Sequence, residues 1–236
     1  MSVILNVIIV VTAILALYWV FYGQRKHNEM MNPKRKTKLK AILFDLDGVI
    51  VDSFERQVFV FNSLRKKYGL KVLKKEKVKK GWWGNSLEVN AKIYFKNQNF
   101  KKLKKEYNDG VKKHINKGKL MENCKEVLTK VRTKKFKTGL VTNTTSGRTK
   151  TELNHHKIRD LFDTIITADD VEKPKPYPDP ILKACENLKV NPDEIIFVGD
   201  TKNDYKAGKS AGAFVVGLNT QGDLIISELR DLLELL

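Results

Sequence analysis

Apolar positions follow three rhythms along this chain, and each predicts a different kind of element. The first is unbroken. Residues 3–22 (VILNVIIVVTAILALYWVFY) run without a charge, and as a helix that length spans about 30 Å, the hydrocarbon thickness of a bilayer. Tyr18, Trp19 and Tyr22 sit at its end as interfacial aromatics do, and Arg25, Lys26 and the basic residues through Lys40 follow. No Lys or Arg precedes the run and no small-x-small cleavage site follows it, which argues against a removed signal peptide. The pattern predicts a single-pass membrane anchor over 3–22. A basic linker over 23–39 follows, broken at Asn32-Pro33, with the soluble domain on the cytoplasmic side.

The second rhythm is helical and fills residues 53–137. Phe54, Val58, Phe61 and Leu64 share one face of a helix that ends near Gly69, and further helices are expected over 86–95, 100–115 and 123–133. Gly81-Trp82-Trp83-Gly84-Asn85 reads as a loop among them.

The third rhythm is a set of short apolar runs, each ending in polar residues. Ala41–Phe44 leads into Asp45-Leu46-Asp47-Gly48, 138–141 into Thr142-Asn143, and 194–198 into Gly199-Asp200. Runs over 164–167 and 213–218 complete the strands, helices are expected over 148–154, 180–187 and up to 211, and 224–236 reads as a final amphipathic helix. Strands alternating with helices predict an α/β fold, a Rossmann-like parallel sheet made from 40–52 and 138–236, with the helical stretch 53–137 inserted after the first strand.

Charge sharpens this division. Of the formal net charge of +18, residues 53–137 carry +19, residues 1–52 carry +3 and residues 138–236 carry −4. The basic excess thus belongs to the helical insertion. A solvated lysine face accounts for it most simply; a polyanionic substrate or anionic lipid would also suit it, and no nucleic-acid motif accompanies it. Cys124 and Cys185 form no metal-spaced set and read as reduced core thiols.

The chemistry lies at the strand ends. A parallel sheet brings the carboxyl ends of its strands to one edge, where ligands bind. Asp45, Asp47, Asp200 and Asp204 would share a small volume there, which is costly without a cation between them. An all-oxygen donor set prefers Mg²⁺. Thr142 offers a hydroxyl, and Lys175, in a loop stiffened by Pro174, Pro176, Pro178 and Pro180, offers a positive charge; both suit phosphate oxygens. Lys173-Pro174 is a rival to Lys175-Pro176, but the spacing to Pro178-Asp179-Pro180 favours Lys175.

DLDGVIVD (45–52), VTN (141–143), Lys175 within KPYPDP (175–180) and GDTKND (199–204) resemble, in order and spacing, the four motifs of the haloacid dehalogenase-like (HAD) superfamily. The likeness covers about residues 40–236 and lies nearest the phosphoglycolate phosphatase and β-phosphoglucomutase branch. It implies a phosphohydrolase with a helical C1 cap over 53–137. It also implies Asp45 as a nucleophile that forms an aspartyl-phosphate and Asp47 as general acid and base. Mg²⁺ would be held by Asp45, the Asp47 carbonyl and Asp200, with Asp204 assisting, and the phosphoryl group by Thr142, Asn143 and Lys175. A small phosphorylated substrate is expected. Asp47 excludes the dehalogenases of the superfamily, which lack an acid two residues after the nucleophile.

Two other functions fit the same residues. A sugar-phosphate mutase would need a bisphosphate activator. A non-catalytic scaffold would use the basic cap to bind anionic lipid or nucleic acid, but has no use for the carboxylate cluster. Trp82 and Trp83 are candidates for cap packing or substrate contact, and His114, His155 and His156 read as solvated.

Overall fold

The computed structural model describes residues 38–236. Its centre is β1 (Ala41–Phe44), whose four residues are all fully buried. A strand covered on both faces needs a continuous apolar run rather than an alternating one, and Ala-Ile-Leu-Phe supplies it. β1 lies parallel between β4 (Lys137–Val141) and β6 (Ile195–Gly199). β5 (Thr164–Ile166) extends the sheet beyond β4, and β7 (Phe214–Leu218) and β8 (Leu224–Ile226) extend it beyond β6. The resulting six-stranded order is β5-β4-β1-β6-β7-β8. The chain builds outward on one side and then crosses to the other, so the direction of winding reverses next to β1. That crevice, at the carboxyl ends of the strands, is where open α/β sheets bind ligands.

Helices cover the sheet: α5 (Cys124–Thr133), α6 (Ser146–His156), α7 (Asp179–Leu188) and α8 (Lys202–Ala211). Ile181, Ala184, Cys185 and Leu188 of α7 pack with Leu43, Val141, Ile195 and Phe197 into one core cluster. α5 was expected within the helical insertion over 53–137, yet it lies against β4. Arg132 ties it there, donating to Thr138 Oγ1 at 3.2 Å and to Asp163 at 2.9 Å.

The insertion that stands apart from the sheet is therefore α1 (Phe54–Lys67), α2 (Lys75–Gly81), α3 (Leu87–Tyr94) and α4 (Phe100–Lys113). It has its own core. The Phe61 ring packs at 4.3 Å from Trp82 and edge-on, at 5.6 Å, against both Tyr94 and Phe95. Its two connections to the sheet domain are stitched together by a short antiparallel pair, β2 (Val51–Asp52) with β3 (Lys119–Leu120).

Several sequence expectations are corrected here. Residues 224–236 are not one amphipathic helix. Leu224–Ile226 is an edge strand, held in register by Asn219 N–H donating to Ile226 O at 2.9 Å. A 3-10 helix, Leu229–Leu235, starts only where the Asp231 carboxylate accepts from the Ser227 and Glu228 amides. α2 carries a single buried residue, Val78, among lysines, and so shows no apolar period. The single-pass membrane placement is also not upheld: among the described residues no helix is long and apolar enough to cross a membrane. The anchor expected over 3–22, and the basic linker through residue 37, lie outside the described residues.

Candidate active site

The loop after β1 is built around one glycine. Asp45 N–H donates to Val198 O at 2.9 Å, fixing the end of β1 beside β6. The chain then turns tightly, with Gly48 N–H donating to Val51 O at 2.8 Å. Gly48 has φ +85°, and a Cβ there would lie 2.3 Å from Asp200 Oδ2. Only glycine gives both the left-handed backbone and the close approach. Asp200 follows β6, and Asp204 lies in the first turn of α8, where its Oδ2 accepts from the Thr201 amide at 3.0 Å in a capping box. Asp204 Oδ1 is left facing the site.

Asp45, Asp200 and Asp204 each present a carboxylate oxygen to one space, all within 4.8 Å of one another. Lys175 enters from the proline loop, nearly fully buried. Its Nζ lies 2.8 Å from Asp45 Oδ1 and 2.6 Å from Asp204 Oδ1, and donates to Val141 O at 3.0 Å. The rival Lys173 is exposed, above the Tyr177 ring.

One ammonium does not balance three carboxylates. Burial, with Asp204 and Asp200 adding to it against the pull of Lys175, pushes the Asp45 carboxyl well above its ordinary range. Burial and then Asp204 push Asp200 up to about 7. Lys175 is held above its ordinary value: burial opposes the charge, and Asp204 and Asp45 outweigh it. Asp200 Oδ1 is buried without a hydrogen-bond partner. An orphaned carboxylate oxygen in an all-oxygen cluster of excess negative charge fits a hard divalent cation of the Mg²⁺ type.

Asp47 faces a different set. Its Oδ1 accepts from Ser53 Oγ and from the Arg148 guanidinium, and its Oδ2 accepts from Thr144 Oγ1 at 2.8 Å. Burial would raise this carboxyl, but Arg148, Ser53 and Thr144 more than offset it and hold it below the ordinary range. The two acids of the Asp45-Leu46-Asp47 turn are thus driven in opposite directions by their surroundings. That divergence is how one site assigns separate roles to paired carboxyls.

Thr142 and Asn143 lie at the end of β4. Thr142 is buried, its Oγ1 accepting from the Thr144 amide at 3.1 Å. Asn143 Nδ2 donates to Lys175 O at 2.7 Å and to Gly84 O at 2.9 Å. Asn203 Nδ2 also donates to Gly84 O, at 3.1 Å, and to Asn85 Oδ1 at 3.0 Å. The 82–85 loop of the insertion is therefore docked on the sheet's ligand edge. It closes a cavity of about 40 Å³ lined by Asp45, Asp47, Thr142, Asn143, Arg148 and Lys175 from the sheet domain, and by Trp83, Asn90 and Tyr107 from the insertion.

Of the residues expected at the site, Asp45, Asp200, Asp204 and Lys175 meet in one cluster, with Thr142 and Asn143 on the cavity wall. Asp47 lines the same cavity with its carboxylate turned onto Arg148. Sequence reasoning missed Arg148, Ser53, Thr144, and the buried Arg56 and Glu152 behind them. Arg148 and Glu152 are four residues apart on α6 and both buried. They share the face that also buries Thr149 and Leu153, a face that no apolar period in the sequence marks. His155 is exposed as expected, and the other two histidines differ. His156 is half-buried, and burial followed by neighbouring cations lowers it to about 4; the His114 ring packs edge-on against Phe59 at 4.7 Å. Both cysteines are buried and free.

Comparison with known proteins shows a family and related folds. The family model described as haloacid dehalogenase-like hydrolase matches residues 42–218. Over 180 residues the chain is 32% identical to the pyrophosphatase PpaX of Bacillus cereus, covering 74% of this chain and 81% of the relative. It is 28% identical over 222 residues to the phosphoglycolate phosphatase of Mannheimia succiniciproducens, covering 84% and 99%. The crystal structure of β-phosphoglucomutase from Clostridium difficile superposes with a TM-score of 0.71 at 24% identity, over 82% of this chain and 93% of that one, a likeness of fold.

Proposed function

The chain belongs to the haloacid dehalogenase-like hydrolases, and from that premise we propose that it cleaves small phosphate esters or pyrophosphate through an aspartyl-phosphate on Asp45. The observation that carries this reading is the cluster at the end of β1: three carboxylates, Asp200 with an orphaned oxygen, neutralised in part by a nearly fully buried lysine.

Asp45 stands at the strand end with its carboxylate 2.8 Å from the Lys175 ammonium. It attacks phosphorus, and the ester or anhydride oxygen departs. Thr142, the Asn143 backbone and Lys175 hold the non-bridging oxygens, so catalysis rests on positioning and on charge aimed at the phosphoryl group. Asp47 gives a proton to the leaving oxygen and then takes one from the water that cleaves the acyl phosphate. In the state described its contacts keep it ionised, the form needed for the second task; for the first, a phosphate entering as its monoanion brings the proton that Asp47 passes to the leaving oxygen. Asp45, Asp200 and the Asp47 carbonyl would hold Mg²⁺, with Asp204 beside them, and the ion would offset the charge of the nucleophile and the phosphoryl oxygens as they meet. The small cavity under the docked 82–85 loop supports a small leaving group, as do the pyrophosphatase and phosphoglycolate phosphatase names of the relatives.

The test is phosphate release by the full chain from pyrophosphate, 2-phosphoglycolate and glucose 1-phosphate, with Mg²⁺ or with EDTA. Release from the small substrates that EDTA abolishes is the expected result. Interconversion of glucose phosphates that needs a bisphosphate and releases no phosphate would replace this reading with a mutase.

A further inference from the structure

A buried chain of alternating charge runs from the base of the insertion to Asp47. Arg56, on α1, is fully buried. Its NH1 donates to Ile115 O at 3.0 Å, and the guanidinium lies so close to Gly118 that a Cβ there would approach NH1 to 2.3 Å. Arg56 thus stands at both connections between insertion and sheet domain, the outgoing one at Ser53–Phe54 and the returning one at 115–118. On its other side the guanidinium bonds both oxygens of Glu152, on α6 of the sheet domain, also fully buried. One turn earlier on α6, Arg148 places Nε 3.7 Å from Glu152 Oε1, donates to Thr144 Oγ1 at 3.2 Å, and bonds Asp47. Burial raises the Glu152 carboxyl, and the two guanidiniums oppose that shift.

Three buried charges leading to a partly exposed fourth, Asp47, are a poor way to gain stability, because apolar residues of similar volume commonly do as well or better. Their arrangement does something apolar residues cannot: it fixes the direction of a guanidinium. Arg148 has five donors and free rotation along its stem. Glu152 attracts it from behind across 3.7 Å, without a hydrogen bond to Nε, and Arg56 holds Glu152 through both carboxylate oxygens. We propose that Glu152 and Arg56 are positioning residues for Asp47, setting through Arg148 where its carboxyl meets the leaving oxygen and tying that placement to the base of the insertion. This rests on the proposed role of Asp47 as proton donor.

The experiment exploits the leaving group. kcat/KM for a phosphatase of this kind reports only the steps through transfer to Asp45, where Asp47 donates its proton. A 4-nitrophenolate departs with little protonic help, whereas the alkoxide of 2-phosphoglycolate needs it. General acid assistance is worth about 10²- to 10⁴-fold. Glu152→Gln is therefore expected to lower kcat/KM on 2-phosphoglycolate by about thirtyfold and on 4-nitrophenyl phosphate by less than about threefold. Glu152→Asp keeps the charge and shortens the reach, and should show the same bias at smaller size if Glu152→Gln does not fold. Arg56→Lys should share the bias. Equal losses on both substrates in the folded variants would overturn the proposal and leave a structural ion pair. Failure of the phosphatase reading itself looks different: wild-type protein would release phosphate from neither substrate.

Discussion

Trp83 donates its indole N–H to Asp200 Oδ2 at 2.7 Å, so the helical insertion reaches directly into the carboxylate cluster of the sheet domain. Beside the indole, Lys79 stands over the Trp83 ring at 4.6 Å and 3.9 Å from the same carboxylate. A hydrogen bond to a charged group contributes about 1.5–3 kcal/mol. Trp83→Phe keeps an aromatic ring beside Phe54 and under Lys79 and removes this bond. Steady-state kinetics should show KM raised about tenfold with a smaller change in kcat, since 1.4 kcal/mol is a factor of ten. An unchanged KM would mean that the bond does not hold the closed arrangement.

The carboxylate cluster gives the metal-free protein an unusual pH dependence. Asp200, pushed up to about 7 by burial and then by Asp204, keeps a proton in the native state that the unfolded chain releases near about 4. Through Asp200 the native state binds the extra proton across that window, a contribution to stability that falls as pH rises from about 4 to about 7; His156, lowered to about 4, contributes with the opposite sign. Urea midpoints in EDTA at several pH values should show the Asp200 decline as the difference between wild type and Asp200→Asn. Mg²⁺ should restore stability at the upper end of the window.

Gly48 is where backbone and cluster constrain each other. With φ +85° and only 2.3 Å between a would-be Cβ and Asp200 Oδ2, Gly48→Ala brings about 1–2 kcal/mol of left-handed strain and displaces the carboxylate. Far-UV circular dichroism should be retained, while the Mg²⁺ concentration for half-maximal activity rises by at least about tenfold. A wild-type Mg²⁺ response in Gly48→Ala would show that Asp200 is not a ligand.

What the sequence made legible was chemistry at the ends of apolar runs. Asp45, Thr142, Asn143 and Asp200 each follow a strand buried on both faces, and a parallel sheet leaves their positions little freedom. Lys175 was legible from its spacing in a proline loop. The residues that stayed hidden are charges on helices. Arg56, Arg148 and Glu152 interrupt no apolar period, and a charge in an amphipathic pattern reads as facing water; only their mutual burial shows otherwise. Trp83 could not be separated from Trp82, yet Trp82 packs in the insertion's core and Trp83 bonds Asp200. At the C-terminal end, Leu224-Ile225-Ile226 has the spacing of a helix start and the branching of a strand, and pairing with β7 decides it.

The central claim is that Asp45 carries the phosphoryl group. The most direct test is phosphate release by the full chain with Mg²⁺ on its best small substrate, wild type beside Asp45→Asn. The substitution keeps the shape of the side chain and removes the nucleophile. The account predicts that release falls by at least about a thousandfold, a cost of about 4 kcal/mol in the barrier, with the folded state retained. Release by Asp45→Asn at close to the wild-type rate would contradict it.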